Sequence, residues 1–143
     1  MRDIDTLKEA TEVLNEFERR TNTLLMIDGT TLDVMLSDPA LENKFLTAST
    51  MAPSVCVCRC SPTQKAIITS KIGAFTGKRT AAVGDGGNDV GMILEANVGI
   101  GVVGKEGKQA SLASDFSIDE FKYLRRLILW HGRLSYKRSA VLS

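Results

Sequence analysis

Two carboxylates four residues apart, Asp85 and Asp89, flank a glycine-rich turn in Val83-Gly84-Asp85-Gly86-Gly87-Asn88-Asp89-Val90. An apolar approach, Ala81-Ala82-Val83, leads straight into the turn. Glycines let the backbone turn sharply and approach a ligand closely. Carboxylates there suit a hard cation such as Mg²⁺, which takes oxygen ligands and shares them with substrate phosphate. The carboxyl end of a strand in an open α/β sheet is where such sites are built. The plainer alternative is a Gly/Asn/Asp turn that only starts a helix. Lys65 is the natural companion. It falls in the first turn of a helix that follows another strand, where an ammonium can act as a point charge on a phosphate oxygen. If that strand shares a sheet with the one before Gly84, Lys65 and the 85–89 turn converge at one sheet edge. A carboxylate pair and a lysine so placed suit phosphoryl transfer, which rests on positioning and charge neutralisation. Alone, Lys65 reads as an exposed helix lysine.

A covalent route for that chemistry needs a nucleophile, here an aspartate. The only segment of the right shape is Met26-Ile27-Asp28-Gly29-Thr30. It resembles the D-x-D-G-T signature of the haloacid-dehalogenase superfamily, but methionine stands where the attacking aspartate belongs. Only the second aspartate, Asp28, is present.

The surrounding elements follow from periodicity and punctuation. Residues 5–20 have helical spacing, with Leu7, Leu14 and Phe17 apolar among charges. Residues 23–27 form a strand candidate, 38–50 a helix and 54–60 a strand. Ser61-Pro62-Thr63-Gln64 starts a helix: Ser61 caps it, Pro62 takes the first position and Gln64 completes a capping box. Ile68, Ile72 and Phe75 share a face of it, and Gly77 follows it. Residues 80–83, 88–96 and 98–103 read as strand, short helix and strand. The stretch 54–103 is therefore β-α-β-α-β, which argues for a parallel sheet with crossover helices. Gly104 and Gly107 bracket a loop. Ser117-Ile118-Asp119-Glu120 reads as a second capping box. The helix after it carries an apolar stripe of Phe121, Leu124, Leu127, Ile128 and Leu134. Lys122, Arg125, Arg126, Arg133, Lys137 and Arg138 are its basic residues. They suit an anionic cytoplasmic leaflet or an ordinary solvated face.

The chain has 143 residues, 43% hydrophobic and 24% charged, with net charge +1. That fits one domain and gives no global case for nucleic acid. No apolar run approaches the ~18–20 residues needed to span a bilayer, and the charged N-terminus is not a secretory signal. Cys56, Cys58 and Cys60 alternate, which would put all three on one face of a strand. C-x-C-x-C is not zinc spacing, and small thiols of a reducing, cytosolic compartment are the expectation.

Three linked segments carry a family resemblance. They are Cys58-Arg59-Cys60-Ser61-Pro62-Thr63-Gln64-Lys65, the Ala82–Val90 turn, and a third that runs in pieces. Its pieces are Val98–Gly101, Gly104–Ala110, Ser114-Asp115-Phe116-Ser117-Ile118 and His131-Gly132-Arg133. Their order resembles P-type ATPases, and the E-G-x-Q-A and S-D-F-S-I segments resemble the P4 branch, the phospholipid flippases. The 104–113 and 131–139 segments look closest to its Neo1-like subgroup. Leu25-Met26-Ile27-Asp28-Gly29 is similar to a flippase stretch that precedes S-P-x-Q-K and is not the nucleophile site. The resemblance covers about residues 22–142.

It implies an α/β, Rossmann-like haloacid-dehalogenase fold: part of a phosphorylation domain, lacking the nucleophile strand. Residues 1–21 would be an N-terminal helix and 22–116 the α/β core. Residues 117–143 would be a helix leading toward the membrane in the parent. Asp85 would bind Mg²⁺, with Asp89 supporting the metal and phosphate site. Asn88 would touch the phosphoryl group, and Lys65 the aspartyl phosphate. The parent would be an integral membrane enzyme of Golgi or endosomal type. It would move phospholipid with ATP, and this segment would lie on its cytoplasmic side. The family's D-K-T-G-T and T-G-D motifs do not occur here, so the segment alone is expected to be inactive. Two alternatives stay open: a capless phosphatase using Asp28, and a non-catalytic Mg²⁺ or phosphate-binding module. In the family the strands of the missing motifs lie inside the sheet. Their absence predicts exposed or rearranged edges and a risk of edge-paired dimers.

Overall fold

A computed structural model describes residues 7–18, 23–103 and 108–142. The chain divides into two compact units, residues 1–78 and 79–143. It is an α/β fold of short parallel sheets with flanking helices, in keeping with a partial Rossmann-like fold.

The first unit contains helix α1 (Leu7–Glu18), strand β1 (Leu25–Asp28), helices α2 (Gly29–Ser37) and α3 (Pro39–Met51), strand β2 (Val55–Cys58) and helix α4 (Pro62–Thr76). β1 and β2 form a two-stranded parallel sheet, with Leu25 opposite Val55 and Asp28 opposite Cys58. Alternation sends Leu25, Ile27, Val55 and Val57 to one face. There they pack with Leu14, Leu32, Met35, Phe45 and Leu46 in the core. Phe45 is only 1% exposed. From α4, Ile68 and Ile72 join this core, whereas Phe75 of the same expected face is exposed.

Local chemistry sets the helix ends. Asp38 caps α3 by accepting the Leu41 N–H at 3.0 Å, with Pro39 at its start. The capping box on α4 forms as expected, and Gly77 ends that helix at φ +62°. Helix α2 is an element the sequence reading passed over. Asp28 starts it, accepting the Thr31 N–H at 2.8 Å and the Thr30 hydroxyl at 2.9 Å.

The second unit contains strand β3 (Ala81–Gly84), a 3-10 turn (Gly87–Asp89), helix α5 (Val90–Glu95), strand β4 (Val98–Val102), helix α6 (Gln109–Ala113) and strand β5 (Phe116–Ile118). The sheet is parallel, in the order β3-β4-β5. Ala82, Ile93 and Ala110 form its small core. Asp115 fastens β5 to β4, its carboxylate accepting the Gly99 N–H at 2.7 Å.

Four expectations are corrected. The 54–103 stretch does not build one sheet: β2 takes β1 as its partner, and β3 takes β4. The resemblance places two further strands inside the sheet, and neither of their motifs is in this sequence. Each unit forms its own ladder. Next, Ser117 does not cap a helix, because Phe116–Ile118 is committed to β5, and no side chain caps the following turn. The helical run over 121–142 is also not uniform. It passes through a 3-10 turn, one α-turn, a π segment (Leu127–Gly132) and an α-helix (Arg133–Leu142). Phe121, Ile128 and Leu134 of its apolar stripe are exposed, while Leu124 and Leu127 are half-buried. Finally, the three cysteines do not share a face. Arg59 has φ +52°, which breaks the alternation after Cys58. Cys60 then packs with the core, while Cys56 and Cys58 lie on the opposite face of the sheet. All three are free thiols. The expected 104–107 loop and the N-terminal residues 1–6 lie outside the described residues.

Candidate metal and phosphate site

β3 runs from exposed Ala81 to buried Gly84, where the chain turns. The 3-10 turn then brings Asp89 back under the start of the loop. Asp89 is only 7% exposed. Burying a carboxylate is costly unless it is hydrogen-bonded, and its Oδ2 accepts the Asp85 N–H at 3.2 Å. Gly84 makes this possible, because a Cβ there would stand 2.8 Å from the Asp89 Cγ and 2.9 Å from Oδ2. The buried carboxylate thus fixes the shape of the loop. Asp85 and Asn88 are left exposed on the same turn.

This donor set suits Mg²⁺, which is commonly held by one or two carboxylates, waters and substrate phosphate. Among the described residues, no three His, Cys, Asp or Glu side chains gather as a complete metal cage. A cation here would draw its remaining ligands from water and phosphate oxygens. Sequence reasoning passed over one neighbour. Gln109 of α6 occupies the space where a side chain on Gly87 would go, so it lies against the turn.

Lys65 belongs to the first unit and the 85–89 turn to the second. Lys65 is half-buried, and its N–H donates to the Ser61 carbonyl at 3.0 Å in the first turn of α4. Gln64 beside it contributes more than a cap. Its Oε1 accepts the Ser61 N–H at 2.8 Å, and its Nε2 donates to the Gly29 carbonyl at 2.8 Å. The Met26–Thr30 segment is therefore tied to the Ser61–Lys65 turn. The capping-box signal revealed the first of these bonds and could not reveal the second, which spans 35 residues.

Asp28 serves as the N-cap of α2. Its Oδ1 is committed to the start of α2. The Thr31 hydroxyl and amide and the Thr30 hydroxyl hold its carboxyl below the usual carboxylate range. Nearby, hydrogen bonding with Cys56 pushes the Cys58 thiol up, and burial does the same to Cys60. Raised thiols are poor nucleophiles at neutral pH.

In the run over 121–142, Lys122, Arg125 and Arg126 line a shallow concavity of about 320 Å³ with Leu129 and Trp130. Lys122 pairs with Glu120 at 2.7 Å and sits 5.0 Å over the Tyr123 ring. His131, the single histidine, is exposed in the π segment. No helix among the described residues is long and apolar enough to cross a membrane.

Comparison with known proteins places these motifs. The family described as phospholipid-translocating P-type ATPase C-terminal matches residues 111–143. Human "Probable phospholipid-transporting ATPase IIB" is 51% identical over 99% of this chain, which spans 12% of that protein. "Phospholipid-transporting ATPase NEO1" of Saccharomyces cerevisiae is 54% identical over 85% of the chain, covering 10% of the yeast protein. "Probable phospholipid-transporting ATPase 4" of Arabidopsis thaliana is 51% identical over 81% of the chain. The chain thus spans about an eighth of the length of the human relative it matches, at 12%. With its Ser61–Lys65 and Gly84–Asp89 turns in the expected order, it belongs to the phospholipid-transporting P4 group of P-type ATPases, in the Neo1-like subgroup.

Proposed function

We propose that this segment is the Mg²⁺ and phosphate half-site of an ATP-driven, phospholipid-translocating P-type ATPase. The observation that carries the reading is the Gly84–Asp89 turn, where buried Asp89 shapes the loop that presents Asp85 and Asn88. In this reading Asp85 and Asp89 hold Mg²⁺. Asn88 and Lys65 contact the phosphoryl group of an aspartate that this sequence does not contain. Bound Mg²⁺ would neutralise charge on the phosphoryl oxygens. The chain's own work is to fix those groups in place. Lys65 offers a cation to phosphate oxygen, and Asn88 offers an amide. The parent is read as an ATP-using membrane enzyme of Golgi or endosomal type. It would carry this segment on its cytoplasmic side, with phospholipid as cargo. No nucleic acid partner is expected. β3 has one ladder neighbour among the described residues, so edge pairing into a dimer is part of the reading, and sedimentation velocity checks it.

The second reading, a capless phosphatase using Asp28, is disfavoured by the helix cap that engages that carboxylate. One experiment separates them. With Mg²⁺ and p-nitrophenyl phosphate, the half-site reading predicts no hydrolysis above background. It also predicts that phosphate shifts amides at 62–66 and 84–89. Hydrolysis abolished by Asp28→Asn would establish the phosphatase instead.

A further inference from the structure

The Ile27-Asp28-Gly29-Thr30 turn has the outline of a nucleophile motif without the nucleophile, and its geometry assigns it other work. We propose that Gly29 and Gln64 form a brace that positions Lys65 relative to the end of β1. This inference rests on the reading of Lys65 as a phosphate ligand.

The chemistry of the link is specific. One face of the Gln64 amide must accept, from the Ser61 N–H at 2.8 Å, while the other must donate, to the Gly29 carbonyl at 2.8 Å. Of the uncharged side chains of this length, only glutamine offers both groups. The Gln64 N–H closes the cap on Ser61 Oγ at 3.2 Å. The turn across from it is equally constrained. A Cβ on residue 29 would stand 2.7 Å from the Arg59 carbonyl and 2.8 Å from Gln64 Oε1. Glycine is therefore required by close approach. Asp28 fixes the turn from its other side through Thr30 and Thr31. Arg59, at φ +52°, bends the chain out of β2 so that its carbonyl meets Gly29. Lys65 follows Gln64 directly and donates its own N–H to Ser61. The Gln64 side chain thus ties the backbone that carries Lys65 to the turn just past β1. Groups that orient a ligand from behind typically alter affinity by ~10–100-fold when removed.

Gln64→Glu separates the brace from the cap. Glutamate is the other natural capping-box residue and still accepts from Ser61, but as a carboxylate it cannot donate to Gly29. The probe is inorganic phosphate with Mg²⁺, titrated into the full chain and followed by amide shifts. Lys65→Ala should abolish binding. Gln64→Glu should weaken it at least ~10-fold while the α4 amide pattern is kept. Gly29→Ala should weaken it likewise, and the double variant should be no worse than the weaker single variant. Phosphate affinity unchanged in Gln64→Glu but lost in Lys65→Ala would overturn the brace and leave the Lys65 reading standing. Binding unaffected by Lys65→Ala, or absent in the wild type, would overturn both. Loss of the α4 amide pattern in Gln64→Glu, or additive effects in the double variant, would also overturn the brace.

Discussion

Gly84→Ala is expected to damage the candidate site and the second unit together. The new Cβ would stand 2.8 Å from the Asp89 Cγ and 2.9 Å from its Oδ2. Overpacking of this kind costs about 1–3 kcal/mol. Relief requires Asp89 to swing away, which breaks the 3.2 Å bond from the Asp85 N–H and removes about 1 kcal/mol more. The expected total is ~2–4 kcal/mol. Gly77→Ala is the control. Gly77 also needs to be glycine, at φ +62°, but nothing lies within 4 Å of its Cβ position. It should lose only the left-handed strain, ~1–2 kcal/mol, with no effect on the 85–89 turn. Urea denaturation with amide spectra measures both, comparing midpoints at constant m. A Gly84→Ala variant within ~0.5 kcal/mol of wild type, or an Asp85 amide resonance that does not move, would rule out the clash with Asp89.

Phe45→Ala should cost ~3–5 kcal/mol by denaturant midpoint, because the ring is 1% exposed in the larger core. The Lys71–Glu42 pair joins α4 to α3 at 2.7 Å, with side chains 35% and 23% exposed. Lys71→Met should therefore cost no more than ~1 kcal/mol, and the difference should shrink in high salt. For Asp28 the folded-state carboxyl lies below its ordinary 3.8, so its contribution to stability is complete above that pH. It is lost as pH falls through the lower folded value. The stability gap between wild type and Asp28→Ala should stay constant above pH 3.8 and close below it, as acid titration of the two proteins would show.

Residues with a local signal could be read directly from the sequence. Ser61, Pro62 and Gln64 announce α4, and Gly77 announces its end, because capping is decided within four residues. The Gly84–Asp89 turn declared itself by composition alone. Sheet membership could not be read so, since periodicity says which stretch is a strand and not which neighbour it takes. The strand before Ser61 therefore found β1 rather than β3. Arg59 carried no warning either. A non-glycine residue at positive φ is uncommon, and it undid the shared cysteine face. Ser117 had a sound capping pattern, but ladder bonds from β4 competed for the same residues. The bond from Gln64 to Gly29 and the packing of Gln109 on Gly87 depend on tertiary contact alone.

On the proposed reading, the Gly84–Asp89 turn is a folded and chemically intact Mg²⁺ half-site. The most direct test is a Mg²⁺ titration followed by amide shifts, on this chain and on Asp85→Asn. Saturable shifts centred on residues 84–89, lost in the variant, are the predicted result. Shifts that are absent, or that persist unchanged in Asp85→Asn, would contradict it.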